Sequence, residues 1–564
     1  MNYPATFSLR LPALAVFLCF SPLLSHAQSA TAGGNPLSTL PSVPAPQPQA
    51  QVPLQVAPPQ TQVEQMLALK VQITRVDVQG VSAIPFEEVS ALLSPLSGGT
   101  HTIADLMAAA HKVTALYQER GYALSFAFVP AQDFAGGVVR FSVVEGYLQR
   151  VELEGDFGNS EALVREIAEP LLKERPLTSA TFQKQTQLMT RLPGIEIAAI
   201  ANLPTTTDGA TPLVLKAKHK PIIVSVGGEL RKPTSRFMAN LLVNDPFWQG
   251  SQFQFSTLLR NPSDERFLSA GFTQLLNASG TVARASYSDY RSHNDPLSKL
   301  PGIDDDTSQR KLDLSVTHPW IVAGNEQLST TAGFYGLNYR KEYWVPANSI
   351  GIHDEERVRA LYAQVAWSKA AATVGRSANV TLTQGIDGLG AGFDRGNNVG
   401  QPMLANPAKL DFTRVSGDYS ERHRFANKLG AAFGFGGQYS GDILPTPERV
   451  SFGSLRYGRG YAPGEFSGDK GVGANAELNY QFTMDSKWLK SVEPYVLYEW
   501  AKLWQNTSGT VATTMKSASV GVRLADNKHY SLDLAVSKPL GARTANNPER
   551  SLRYGLILSY NLDL

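Results

Sequence analysis

The chain has 564 residues, 51 Lys and Arg against 49 Asp and Glu, a net charge of +2 and a single cysteine. So even a balance argues against a nucleic-acid partner, which calls for a concentrated basic surface. The one thiol, Cys19, sits in the apolar run Leu11 to Leu24, so the rest of the chain can form neither a disulfide nor a thiolate metal site.

That run follows Arg10 and leads to the small residues Ser25 and Ala27, the pattern of a secretory signal peptide over 1–27, cleaved before Gln28. Beyond it no apolar stretch reaches the roughly eighteen residues that a membrane-spanning helix needs. Any membrane role must therefore rest on strands. Residues 28–70 open with a segment rich in Pro, Gln, Ala and Ser, too poor in large apolar groups to bury a core, and are expected to be an extended linker.

From Val71 two stretches repeat one order of elements: strand, helix, helix, strand, strand. In the first, 71–147, Arg75 to Gln79 is a strand and Pro85 to Leu93 a brief helix. Thr102 and Asp105 then make a capping-box-like start to a helix with Ile103, Leu106, Met107, Ala110, Val113 and Tyr117 on one apolar face, and Gly121 ends it. Leu124, Phe126 and Phe128, then Val139, Phe141 and Val143, alternate as two half-buried strands. In the second, 148–220, Val151 and Leu153 open a strand, helices start at Ser160 and Thr178, Pro193-Gly194 stops the latter, and Ile195 to Ala201 and Leu213 to Ala217 are strands.

Residues 221–564 form a series of roughly ten-residue segments of alternating polarity. Leu429/Ala431/Phe433/Phe435, Ala518/Val520/Val522/Leu524 and Leu552 through Leu564 are clear examples. About sixteen such segments predict a transmembrane antiparallel β-barrel preceded by two α+β domains. A soluble sandwich or propeller also alternates. Against it stand the signal peptide, the final strand at the chain's end, and the confinement of all seven tryptophans to this region, as interfacial girdles require. Closure satisfies every backbone polar group in lipid, which an open sheet does not.

The loop over 441–471 is rich in glycine and carries Gly458-Arg459-Gly460-Tyr461 and, later, Gly468-Asp469-Lys470-Gly471. The two α+β units resemble the POTRA domains of outer-membrane assembly and secretion barrels. Leu192-Pro193-Gly194-Ile195 with Asp208-Gly209 is similar to the second such domain of two-partner secretion proteins. The loop resembles the Val/Leu-Arg-Gly-Tyr/Phe motif that folds back into the pore in this superfamily. The whole is similar to a two-partner secretion transporter of the hemolysin secretion/activation type.

That resemblance implies an outer-membrane barrel with its small domains in the periplasm. It carries a large exoprotein, marked by an N-terminal secretion domain, to the cell surface, with client folding outside as the drive. Contacts are expected with the lipid bilayer and with periplasmic chaperones, and none with nucleic acid; no enzyme activity, cofactor or metal is implied. The family's Phe-x-Asp-x-Gly partner of the loop arginine aligns with Leu497-Tyr498-Glu499-Trp500-Ala501, which keeps only the charge. Glu499 is thus the expected wall partner of Arg459 through a charge-assisted bond. The client is expected at the second unit's edge, Leu192, Ile195, Ile197 and Ile200, by strand addition. Family members often carry a pore-plugging N-terminal helix, but Gln28 to Leu40 shows no apolar stripe to predict one. His353-Asp354-Glu355-Glu356 reads as a solvated loop rather than a metal site. No Gly-x-Ser-x-Gly, His-Glu-x-x-His or P-loop occurs. Other readings are an assembly insertase, which usually carries more than two such domains, a passive porin, which needs none, and an adhesin.

Overall fold

The computed structural model describes Leu40 and residues 69–563, apart from 135, 232–234, 262, 295–301, 455, 508–511 and 545–546. The signal peptide and, Leu40 excepted, the linker expected before residue 69 lie outside the described residues, as does the question of a plug helix.

The first unit comprises β1 (Lys70–Gln72), β2 (Arg75–Gln79), α1 (Phe86–Leu93), β3 (Thr100–Thr102), α2 (Ile103–Glu119), β4 (Phe126–Phe128) and β5 (Val138–Val144). β5 is central, parallel to β2 and antiparallel to β4. The capping box forms in full: Thr102 Oγ1 accepts from the Asp105 N–H, and the Asp105 carboxylate accepts from the Thr102 N–H. Leu106, Ala110, Val113 and Tyr117 enter the core as their spacing requires. Met107 does not; it is 39% exposed, because it follows Leu106 by one residue and so lies about 100° round the helix. The short pairing of β1 with β3 has no signal in the sequence pattern.

The second unit repeats this topology with β6 (Tyr147–Gly155), α3 (Glu161–Lys173), α4 (Ser179–Met189), β7 (Ile195–Ala201) and β8 (Ala210–His219). β8 is central, parallel to β6 and antiparallel to β7. The junction between the units is short and tied. Glu145 accepts from the Ser82 hydroxyl, from the N–H groups of Ser82 and Ala83, each at 2.7 Å, and from Tyr117 Oη at 2.8 Å. Burial opposes its ionisation, yet these donors hold the Glu145 carboxyl below the usual glutamate range. Arg175 stacks over the Tyr147 ring at 4.1 Å.

The second unit also grips the barrel's periplasmic rim. Asn159 Nδ2 donates to the Asp245 carbonyl at 2.6 Å, Ser160 Oγ donates to the Asp245 carboxylate, and the Gly250 N–H donates to Ser160 Oγ at 3.0 Å. Leu275 and Val322 of the barrel join the unit's own apolar core.

The remaining strands close antiparallel into a cylinder, the last (Arg553–Asp563) pairing with the first (Ile222–Arg231). Val374–Gly385 and Gly392–Asn397 both pair with Ile350–Ala370 and so form one interrupted stave, as Lys470–Tyr480 and Phe482–Thr483 do against Ser491–Trp504. That leaves sixteen staves. The outward positions carry exposed apolar side chains such as Leu314, Val365, Phe433, Val496 and Val520, which face lipid.

Three neighbouring strands depart from the ten-residue expectation: Asp304–Val322, Glu326–Val345 and Ile350–Ala370 have 19, 20 and 21 residues. About ten residues span the bilayer, so this sheet projects well beyond it on the cell-surface side. His353 to Glu356 is accordingly strand, not loop: Asp354 pairs with Arg395 at 2.5 Å, Glu355 with Arg357 at 3.0 Å. Trp344, opposite Asp304 in register, stands in this projection rather than in a girdle.

Candidate functional site: the loop inside the barrel

The loop enters from the cell-surface end and is fixed first at its root. Glu356, 2% exposed, accepts from the Thr446 N–H at 2.6 Å, from Thr446 Oγ1 at 2.8 Å and from Asn406 at 3.0 Å. Next to it Arg414 and Glu448 form an ion pair at 2.9 Å, both side chains 2% exposed. A short hairpin, Val450–Phe452 with Phe466–Gly468, then leads to the tip. Asp469 locks the return by accepting from the N–H groups of Leu444 at 2.9 Å and Asn506 at 2.6 Å. Gly468 and Gly471 sit where a Cβ would fall 2.4 Å from the Trp504 carbonyl and 2.6 Å from Leu503 Cδ2.

At the tip, the hydrogen bond between the two residues singled out in the sequence is a backbone one: the Arg459 N–H donates to Glu499 Oε2 at 2.6 Å. Ser517 Oγ donates to the same oxygen at 2.7 Å. The guanidinium reaches further round the wall, to Asp533 Oδ2 at 3.1 Å and Tyr495 Oη at 2.6 Å, while Tyr495 donates to Asp533 Oδ1 at 2.6 Å. Asp533 thus takes the salt-bridge role that the motif comparison gives to Glu499. The network continues through Arg523, which bonds Glu477 at 2.5 Å and Glu493 at 2.7 Å and lies over the Tyr495 ring at 4.2 Å. Its wall charges, Glu477, Glu493, Glu499, Arg523 and Asp533, were all open to sequence reasoning as charges on the wet side of alternating segments. Which of them meet depends on inter-strand register, which alternation does not encode.

Aromatic side chains fill notches left by glycines. A Cβ on Gly473 would lie 2.3 Å from Tyr457 Cδ2, and one on Gly436 2.7 Å from Tyr457 Oη. Tyr461 accepts from the Gly541 N–H at 3.0 Å, and Gly460 passes so close to the wall that a Cβ would lie 2.6 Å from Pro539 N. With Gly458 beside Met515, the whole tip packs with Val450, Phe452, Ala501 and Leu503 as an apolar cluster. Arg456 pairs with Asp418 at 3.2 Å, and Ser454 donates to Glu229 of the first barrel strand at 3.4 Å. One loop therefore bonds strands from both ends of the barrel sequence. Elsewhere in the lumen Leu40 packs against Met238, Leu258, Phe267 and Tyr290.

At the second unit, β7 pairs on one side only. Leu192, Ile195 and Ile197 are 3%, 6% and 9% exposed and belong to the unit's core, so three of the four expected client-facing side chains point inward. Only Ile200 shares the outer face, with Glu196 and Ala198. No group of metal-ligating side chains occurs among the described residues.

A closed outer-membrane cylinder with an Arg-Gly-Tyr loop held in its lumen and α+β units at its periplasmic rim defines a barrel of the polypeptide-handling class. Family models agree: residues 71–146 match "POTRA domain, ShlB-type" and residues 277–524 match "Haemolysin secretion/activation protein ShlB/FhaC/HecB". The chain belongs to this family of two-partner secretion transporters, which move exoproteins across the outer membrane. It is similar to the heme/hemopexin transporter protein HuxB of Haemophilus influenzae, 18% identical over 87% of this chain and 88% of that protein. It is similar also to the outer membrane transporter CdiB of Escherichia coli, 24% identical over 78% and 76%. Among solved structures, CdiB from Escherichia coli superposes with a TM-score of 0.61 at 19% identity, covering 89% of this chain and 93% of that one. BamA from Haemophilus ducreyi lacking POTRA domains 1-3 gives 0.54 at 14% identity, covering 88% and 100%.

Proposed function

We propose that the exported partner is a large exoprotein with an N-terminal secretion domain, and that both α+β units are POTRA domains, the second being its receptor. The observation that carries this is the one-sided pairing of β7 in a unit bonded directly to the barrel rim. An extended client adds its backbone to that edge by strand augmentation, with Glu196, Ala198 and Ile200 beside it. The client then threads the lumen after the 441–471 loop is displaced, and the Arg459, Glu499 and Asp533 contacts hold that loop in the closed state. The motif glycines 458, 460, 468 and 471 serve by letting the loop lie flush on the wall.

Two measurements test this. Photo-crosslinkers at 196, 198 and 200 give client adducts, whereas adducts only on β6 would move the receptor edge. Paired cysteines replacing Ser454 and Glu229 arrest secretion when oxidised and release it on reduction. Undiminished secretion in the oxidised form would show that the loop need not move.

A further inference from the structure

Outside the lumen, the outward face of the last strands carries an unexplained row of cations. Lys470 begins its strand, Lys502 lies two residues from the end of Ser491–Trp504, Lys516 three from the start of Thr513–Ala525, and Lys538 one before the end of Tyr530–Pro539. All four ends lie on the cell-surface side, because the intervening turns at the opposite ends share the rim that the second unit grips. Each lysine has the parity of lipid-facing neighbours: Lys538 follows exposed Val536, Lys516 precedes exposed Val520, and Lys502 follows exposed Val496 and Tyr498.

Register makes them a line. Lys470 pairs with Trp504, Lys502 with Thr514, Lys516 with Trp500 and Lys538 with Ala518. Each lysine is therefore offset by two residues from the next, the diagonal same-face relation of about 7–8 Å. Tilted barrel strands carry such a diagonal around the circumference.

The four have no carboxylate partner among the described residues; their only ring contacts are Lys470 over Tyr439 at 5.9 Å and Lys502 over Trp504 at 5.1 Å. The strands' own acids, Glu477, Glu493, Glu499 and Asp533, all bond inside the lumen. On these four strands the acids all face the lumen, where Arg523 pairs with two of them, and the cations left without a carboxylate face outward. On the same outward wall lies a largely apolar groove of about 950 Å³, lined by Ala431, Phe433, Ala476, Leu478 and Val520 and bounded by Glu421 and His423 on one side and by Lys538 on the other. Small alanines on neighbouring strands leave this hollow between larger side chains.

We propose that this face binds a phosphorylated glycolipid of the outer leaflet, its phosphates on the lysine row and an acyl chain in the groove. A neutral lipid would leave four ammonium groups unpaired at the level of headgroups, and a soluble anion would leave the groove empty. The site needs only the barrel's place in the outer membrane and is independent of the client.

The test uses the full chain in nanodiscs of neutral phosphatidylcholine doped with bisphosphorylated lipid A, with lipid A stripped of phosphate, or with phosphatidylglycerol at equal charge. Lipid retained on the protein is counted by native mass spectrometry. Bisphosphorylated lipid A is retained by the wild type, and retention falls about fivefold for each lysine changed to glutamine, while the fourfold Lys→Arg variant keeps it. Equal retention by the fourfold Lys→Gln variant, or of the dephosphorylated lipid by the wild type, would overturn the proposal. Preference for phosphatidylglycerol would overturn the assignment to a glycolipid. Heat-dependent gel mobility confirms that each variant is folded.

Discussion

Replacing Asp533 with Asn separates the two candidate partners of Arg459. The Arg459 and Asp533 side chains are 13% and 15% exposed, with the guanidinium 3.1 Å from the carboxylate and Tyr495 bridging both. Breaking a fully buried pair costs about 3–5 kcal/mol, but a lumen admits water, and hydrogen bonds to charged groups contribute about 1.5–3 kcal/mol. About 2 kcal/mol of coupling is therefore expected, equal to roughly thirtyfold in an opening equilibrium. Hydrogen exchange at the amides of Arg459 to Ala462, in nanodiscs, reads that equilibrium. Arg459→Gln and Asp533→Asn each speed exchange about thirtyfold, and together hardly more than either alone. Arg459→Gln with Glu499→Gln is additive within about 0.5 kcal/mol, because the Glu499 bond is to the Arg459 backbone. Additivity in the first pair together with strong coupling in the second would refute the assignment.

Three further outcomes follow from close contacts and charge. Gly473→Ala places a methyl 2.3 Å from Tyr457; the ring must leave its notch, at about 1–3 kcal/mol of overpacking, read as a lower thermal midpoint and faster proteolysis of the loop. Gly460→Ala meets backbone at Pro539, 2.6 Å away, which cannot rotate aside, so the tip lifts and resting ion conductance in planar bilayers rises. Glu145→Gln removes a carboxylate that four donors stabilise, costing about 1–3 kcal/mol at neutral pH and exposing the junction between the two units to protease. Because the folded carboxyl titrates below its ordinary range, its contribution is complete above the unfolded value and fades as pH falls through the folded one. The mutant and the wild type therefore converge in acid.

What could be read in the sequence was whatever a single element decides alone. Thr102 with Asp105 specifies a helix start because both bonds lie within four residues. Leu552 to Leu562 specifies a strand with one lipid face because alternation is a property of the strand itself. His353 to Glu356 reads as a loop because above the bilayer both faces of a strand are wet, and a strand there needs no apolar side. Asp533 stood between Leu532 and Leu534, legible as a lumen-side acid. Its meeting with Arg459 depends on how two distant hairpins stack in register, and nothing local records that. Ile195 and Ile197 misled for the opposite reason: an apolar edge strand has one set of side chains, and the unit's own core claims it, leaving the backbone for a partner.

The loop's contacts are of two kinds, and the division bears on how a secretion pore can be both tight and openable. Tyr457 and Phe452 are buried among Ala501, Leu503 and Met515; lifting them into a watery lumen costs about 1.5–3 kcal/mol for each large side chain. An empty pore offers no apolar surface to repay that, so packing favours the closed state alongside the ionic contacts. The ionic contacts are different. Arg459, Arg456 and Ser454 bond carboxylates that an incoming polar backbone can satisfy in their place, so they hold the loop in an empty pore and yield to a client. A client that covers the exposed aromatics with its own apolar side chains offsets the larger cost, while its peptide groups take over the polar one. On the proposed route through the lumen, opening is thereby coupled to occupancy by extended polypeptide, and small solutes, which can do only the second, leave the loop in place.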